Sequence, residues 1–176
     1  MTQGLNQVLN EPWVQDKEYT KYILWFIYAC IIYSIIGFSW GALMGGIPTF
    51  RDYINSGEAG SRLVLGHTHI NLLGWVEMAI FGAVYYFIPR LVRRPIYSLR
   101  LVKVHFWMHN FGLLGLVTFF SVAGLVGIYI DDYADSESVA SRLMMFAGMF
   151  GSLVLLANII WGYNIYRTCA GWDKQK

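Results

Sequence analysis

Charge is scarce in this sequence. Asp, Glu, Lys and Arg supply 14% of its 176 residues, where a soluble domain carries about a quarter. Cysteine is scarcer still: two in the whole chain exclude a disulfide-stapled scaffold. An excess of either sign is also missing, and a formal net charge of +2 leaves no electrostatic footprint for nucleic acid. Internal repeats, low-complexity tracts and long linkers are absent. Apolar residues make up 56% of the chain and aromatics 17%, which excludes a disordered polymer. The few charges collect between four long stretches that hold almost none. That pattern marks an all-α membrane protein with four transmembrane helices.

The spans are expected at about residues 22–44, 63–88, 104–130 and 143–166. Each exceeds the roughly 20 residues that cross a ~30 Å hydrocarbon core as a helix. Lipid offers the backbone no other hydrogen-bond partner, so helices are required. Residues 1–21 then form an N-terminal segment, 22–166 a membrane domain that packs as a bundle, and 167–176 a tail. Residues 1–15 show no signal-peptide pattern, so the first span is expected to direct insertion itself.

Basic residues in short loops set the orientation. Arg90, Arg93, Arg94, Arg100 and Lys103 lie between the second and third spans, Lys17 and Lys21 before the first, and Arg167, Lys174 and Lys176 after the fourth. Only Arg51, Arg62 and Arg142 fall on the other side, with the acidic group Asp131, Asp132, Asp135 and Glu137. Both termini are therefore expected in the cytoplasm, with the protein in an inner (plasma) membrane of bacterial or archaeal type.

The polar residues inside the spans are the candidates for chemistry. His67 and His69 stand two residues apart, which is about 200° of helical rotation and ~3 Å of rise. Their imidazoles point to opposite faces, so they cannot share one ion but can each ligate a different centre. His105 and His109 share one face of the third span. The antiparallel arrangement predicts roughly 12–20 Å of depth between the two pairs. Each histidine has a plainer reading as a hydrogen-bonded helix contact. Glu77 is the one acid in a span and is expected to be neutral, paired or facing a wet cavity, where it could handle protons. Asn158 and Asn164 read as interhelical glue. Gly37, Gly41, Gly45, Gly46, Gly112, Gly115, Gly124 and Gly127 are expected at close helix contacts. Trp75, Tyr85 and Tyr86 suit packing, an interfacial belt or a cofactor wall.

The second span carries a denser pattern. Gly66-His67-Thr68-His69, Leu73-Gly74-Trp75, Phe81-Gly82, Tyr85-Tyr86 and Pro89-Arg90-Leu91 resemble, without a gap, the tenth of twelve helices in the catalytic subunit of cbb3-type heme–copper oxidases. His105-Phe106-Trp107 with Gly112 resembles the start of the eleventh helix, and Tyr163-Asn164 with Thr168 the end of the twelfth. The resemblance covers roughly residues 20–170. It implies that His67 would hold a high-spin heme and His69 a low-spin heme; Trp75 and, more weakly, His105 and His109 stand beside them as cofactor-binding candidates from their place in the spans. The family's other low-spin ligand and its copper ligands lie on its second, sixth and seventh helices, which have no counterpart here. Glu77 and His109 also depart from the pattern. The family fold has approximate threefold symmetry that relates helices two, six and ten, so copies of such a unit could assemble on a similar plan.

Three functions follow from the resemblance. The first is electron transfer in a respiratory chain through histidine-ligated heme b. No C-x-x-C-H motif is present for covalent attachment. The second is binding of oxygen or nitric oxide at a five-coordinate heme, and the third a cofactor-free assembly or accessory subunit. An enzymatic role would be of oxidoreductase type and would need partners. Expected partners are the lipid bilayer, a second and third copy in a homo-oligomer (dimer or trimer) or another respiratory subunit, and quinol or cytochrome c.

Overall fold

The computed structural model describes residue 12, residues 16–130 and residues 132–170. The helices are α1 (Lys17–Gly46), α2 (Pro48–Ile54), α3 (Glu58–His69), α4 (Glu77–Val92), α5 (Leu99–Tyr129) and α6 (Tyr133–Cys169). A π-helical segment, Ile70–Val76, joins α3 to α4 without a break. Among the described residues, four rods are thus long and apolar enough to cross a membrane: α1, α3–π–α4, α5 and α6. Ile31, Ile35, Phe87, Leu91, Phe111, Leu155 and Ile159 are exposed on their outer faces. Such a surface is stable only in lipid. The chain is an all-α integral membrane protein. Most of the 1–21 segment, Asp131 and the tail from residue 171, with Lys174 and Lys176, lie outside the described residues.

Each rod starts before its expected span because polar residues extend the helix beyond the apolar core. Asp16 caps α1 by accepting from the N–H groups of Glu18 (2.8 Å) and Tyr19 (3.2 Å). Ser98 caps α5 through the Leu101 N–H at 3.3 Å, and Asp132 caps α6 through the Asp135 N–H at 2.9 Å. Such side chains satisfy N–H groups that a helix start leaves unpaired. α4 stops where Arg93 turns left-handed, at φ 52°, and the Arg94 N–H folds back to the Pro89 carbonyl at 3.0 Å. The short helix α2 in the first loop has no counterpart in the sequence reading. Pro48 at its start fits the first helical position, where a missing N–H costs nothing.

Two polar clasps tie the ends of the bundle. At the α3 end, Arg62 makes two hydrogen bonds to Glu137 of α6, at 2.7 and 2.8 Å, and a third to Glu58 at 3.3 Å. At the opposite end, Asn164 of α6 accepts from the Ser98 N–H (3.0 Å) and donates to the Ser98 carbonyl (3.1 Å). Asn164 therefore pins the start of α5, while Asn158 donates to its own helix at Val154.

The core is aromatic and lies between α1, α4 and α5. Phe26, Met78, Phe81, Tyr85, Val102, His105, His109 and Leu113 are each exposed by 1% or less. Small residues let the rods approach: a Cβ at Gly112 would stand 2.9 Å from Val154 of α6, and one at Gly124 2.7 Å from Leu63 of α3. Gly45 and Gly46 correct the expectation of close packing, since nothing lies within 4 Å of a Cβ at either. They fall at the very end of α1.

Candidate functional site

The second rod brings the histidines to the site, and its two halves are not one regular helix. The expected span was read with a uniform α-helical period. In the structure, the Glu77 N–H bonds to the Leu72 carbonyl, five residues back, rather than to Leu73. Such π-turns are rare and concentrate at functional sites. This one lies directly between His69 and Glu77.

His67 turns toward α1. Its ring meets Gly41, where a Cβ would stand 3.0 Å from Cε1, and its centroid lies 6.2 Å from the Trp40 ring. His69 turns toward α5 and packs against Phe120 with 5.0 Å between ring centroids. The two rings diverge across their helix. Their hydrogen bonds differ too. His69 Nδ1 lies 2.8 Å from the Leu65 carbonyl. A carbonyl only accepts, so Nδ1 carries the proton and Nε2 keeps its lone pair. His67 Nδ1 instead faces the Asn71 side-chain amide at 3.3 Å, and the same amide nitrogen donates to the His67 carbonyl at 2.9 Å. There Nδ1 accepts and the proton sits on Nε2. The opposite face holds the metal-ready imidazole: an orienting bond from Nδ1–H to a carbonyl is the usual second partner of a metal-bound histidine.

His105 and His109 stand inside the core. Both are fully buried, with ring centroids 5.9 Å apart and Phe81 against each, at 4.5 and 5.2 Å. Tyr85 and His105 Nδ1 are hydrogen-bonded at 3.1 Å, and His109 Nε2 reaches the Leu73 carbonyl at 3.1 Å. Leu73 is four residues past His69, about 6 Å along the axis. The nearest members of the two pairs, His69 and His109, thus approach in depth, while His105 stands farther along the rod beside Tyr85. The reason is that α5 starts at Leu99, which sets His105 two turns inside its helix.

Glu77 sits 3.7 Å from His109 Nε2 with its side chain 29% exposed. Among the described residues its Oε2 has no hydrogen-bond partner, and neither have His105 Nε2 and His109 Nδ1. Trp75 is on the surface, packed on Phe38 at 4.7 Å. Tyr86 is exposed beneath the Arg90 guanidinium, and Tyr85 is buried. No three of the His, Cys, Asp and Glu side chains among the described residues converge on one point that could hold a metal ion. Asn71, which holds His67 and fills the space over Gly37, went unread in the sequence. Its spacing of four from His67 was the available signal.

Residues 4–154 match the family model described as cytochrome c and quinol oxidase polypeptide I. The chain belongs to that family. The oxidase-family chain is 31% identical over 147 residues to cytochrome c oxidase subunit 1 of Rhodobacter capsulatus, covering 73% of this chain and 28% of that protein. It is 30% identical to the bacteroid cytochrome c oxidase subunit 1 homolog of Bradyrhizobium diazoefficiens, over 96% of this chain and 31% of that one. The cbb3-type cytochrome c oxidase subunit CcoN1 of Stutzerimonas stutzeri is 31% identical over 59% of this chain and 24% of its own. This oxidase-family chain therefore spans less than a third of the length of these curated relatives.

Proposed function

We propose that the protein binds heme b through His69 and carries electrons in a respiratory chain. The observation that carries this reading is the hydrogen bond from His69 Nδ1 to the Leu65 carbonyl. It fixes the ring and leaves Nε2 with a free lone pair as a ligand. His67 is the second candidate, and Gly41 opposite it leaves the close approach that its ring needs. When bound, the heme supplies one-electron chemistry. The protein's own share is to hold the ring, pack Phe120 against it and place a carboxyl group on the same rod. Family membership supports respiratory electron transfer, and the oxidase relatives make quinol, cytochrome c or another respiratory subunit the fitting partners. The distribution of Lys and Arg supports cytoplasmic termini.

Purified protein is expected to show a b-type reduced spectrum and to release its heme into acidic acetone, since no covalent attachment motif exists. Inserted protein with neither heme nor iron would remove the reading. A spectrum that shifts with CO would transfer it to a gas-binding, five-coordinate heme.

Glu77 is proposed to take up a proton when the heme is reduced. An acid in a span is functional by default, and Oε2 here is buried and unpartnered. Glu77→Gln is expected to flatten the dependence of the midpoint potential on pH. An unchanged slope would make Glu77 a helix contact only.

A further inference from the structure

Two backbone carbonyls of the second rod have lost their α-helical donors, and a side chain from a neighbouring helix meets each. Pro89 has no N–H, so the Tyr85 carbonyl, four residues earlier, lacks its donor. The Tyr19 hydroxyl of α1 donates to it. The second carbonyl is Leu73. Its α-helical donor would be the Glu77 N–H, which bonds Leu72 instead. Here the incoming group is His109 of α5, whose Nε2 lies 3.1 Å from the Leu73 oxygen. The oxygen can only accept, so Nε2–H donates and the ring's other nitrogen is bare. That nitrogen, Nδ1, is buried without a partner among the described residues. The ring itself is fully enclosed, with Phe81 and His105 beside it. The Glu77 carboxyl stands farther from Nε2, at 3.7 Å, beyond hydrogen-bond length, so the Leu73 oxygen is the ring's hydrogen-bond partner.

We propose that His109 is a positioning residue that locks the π-turn of the second rod and so sets the rotation of the His67/His69 pair relative to Glu77. In a continuous α register the Leu73 carbonyl is served by Glu77 of its own helix; where the π-turn ends and α4 resumes at Glu77, that carbonyl is skipped and His109 meets it. Lipid supplies no third donor. Removing the imidazole therefore favours the α register, in which one residue fewer is absorbed between the two halves. That residue is worth about 100° of rotation and ~1.5 Å of rise. Either the histidines or Glu77 would then swing away from their present faces. Gly74, inside the π-turn, carries the Tyr33 ring of α1 against it, where a Cβ would stand 2.7 Å from Tyr33 Cγ. A rotation there would also displace that contact. The lock stands on backbone geometry alone; its consequence for iron rests on the heme reading above.

The test uses the full chain in phosphatidylcholine vesicles, with Cys30→Ala and Cys169→Ala. Single spin labels are placed at Leu65→Cys in α3 or Ile80→Cys in α4, both on lipid-exposed positions. Collision with dissolved oxygen reports which way each half faces. Without further change both labels are expected to be highly accessible. His109→Leu should cut the accessibility of one of the two at least twofold, and His109→Gln, whose amide can still donate to Leu73, should preserve both. Equal accessibilities in all three proteins would overturn the proposal, as would the same loss with Gln as with Leu. Should His109→Leu fail to insert, ¹⁵N spectra of the unaltered His109 ring decide: a proton on Nε2 with bare Nδ1 supports the lock, and the reverse tautomer overturns it. The labels read out equally well in heme-free protein. Absence of heme would thus sink the heme reading while leaving the lock testable. In heme-loaded protein, His109→Leu should also shift the low-spin spectrum, with Gln restoring it.

Discussion

His69→Ala is expected to abolish the low-spin heme signal while the protein still inserts and keeps its four rods. The ring is on a rod surface, half-buried against Phe120, so truncation removes a ligand without opening the core. His67→Ala should leave most of the signal in place. The asymmetry has a chemical cause: His69 presents a bare Nε2 because Leu65 takes the proton of Nδ1, whereas the Asn71 amide leaves the His67 proton on Nε2. Binding iron at His67 would require that proton to move and the Asn71 contact to be given up. Reduced-minus-oxidised spectra of the two variants, normalised to protein, check the assignment. Loss of the signal in His67→Ala with retention in His69→Ala would reverse it.

Heme retained in native mass spectrometry is expected only on an oligomer, a dimer or trimer, or on a complex with a partner chain. A bis-histidine iron needs two imidazole nitrogens on opposite sides, roughly 4 Å apart for metal–nitrogen distances near ~2 Å. His67 and His69 face α1 and α5 respectively and cannot close on one iron. His109 spends Nε2 on Leu73, and His105 is sealed behind Phe26 and Phe81. A second ligand for a six-coordinate heme would therefore have to come from outside the described helices. His69 of another copy, meeting the first across the iron, is the simplest source. Diluting the protein in detergent should then release heme and subunits together. A monomer that keeps a bis-histidine spectrum would defeat this prediction.

Much of this architecture was legible in the one-dimensional pattern. Twenty or more apolar residues without charge must become a helix in lipid, because no other local structure satisfies the backbone there. Four such stretches therefore predicted four rods, and three of the four starts were missed by the length that the capped polar turns after Asp16, Ser98 and Asp132 add. The divergence of His67 and His69 was also legible, since a separation of two residues has one meaning on an α-helix. What the sequence could not show was the phase change that follows them. A uniform period carries Glu77 to one face; the π-turn carries it to another, beside His109.

The same limit explains the other surprises. Arg62 and Glu137 are 75 residues apart, and nothing local joins them before α3 and α6 meet. His105 and His109 read in the sequence as weaker cofactor candidates or as hydrogen-bonded helix contacts. Their enclosure by Phe26, Phe81 and Tyr85 depends on where three helices cross. By itself the sequence determined what lipid and the helical period enforce within one segment: the rods, their apolar faces and the opposed histidines. Tertiary structure decided the register of the second rod and the tautomers of its neighbours. A carbonyl released in one helix is satisfied by a donor on another, and that choice is made only when the two helices pack.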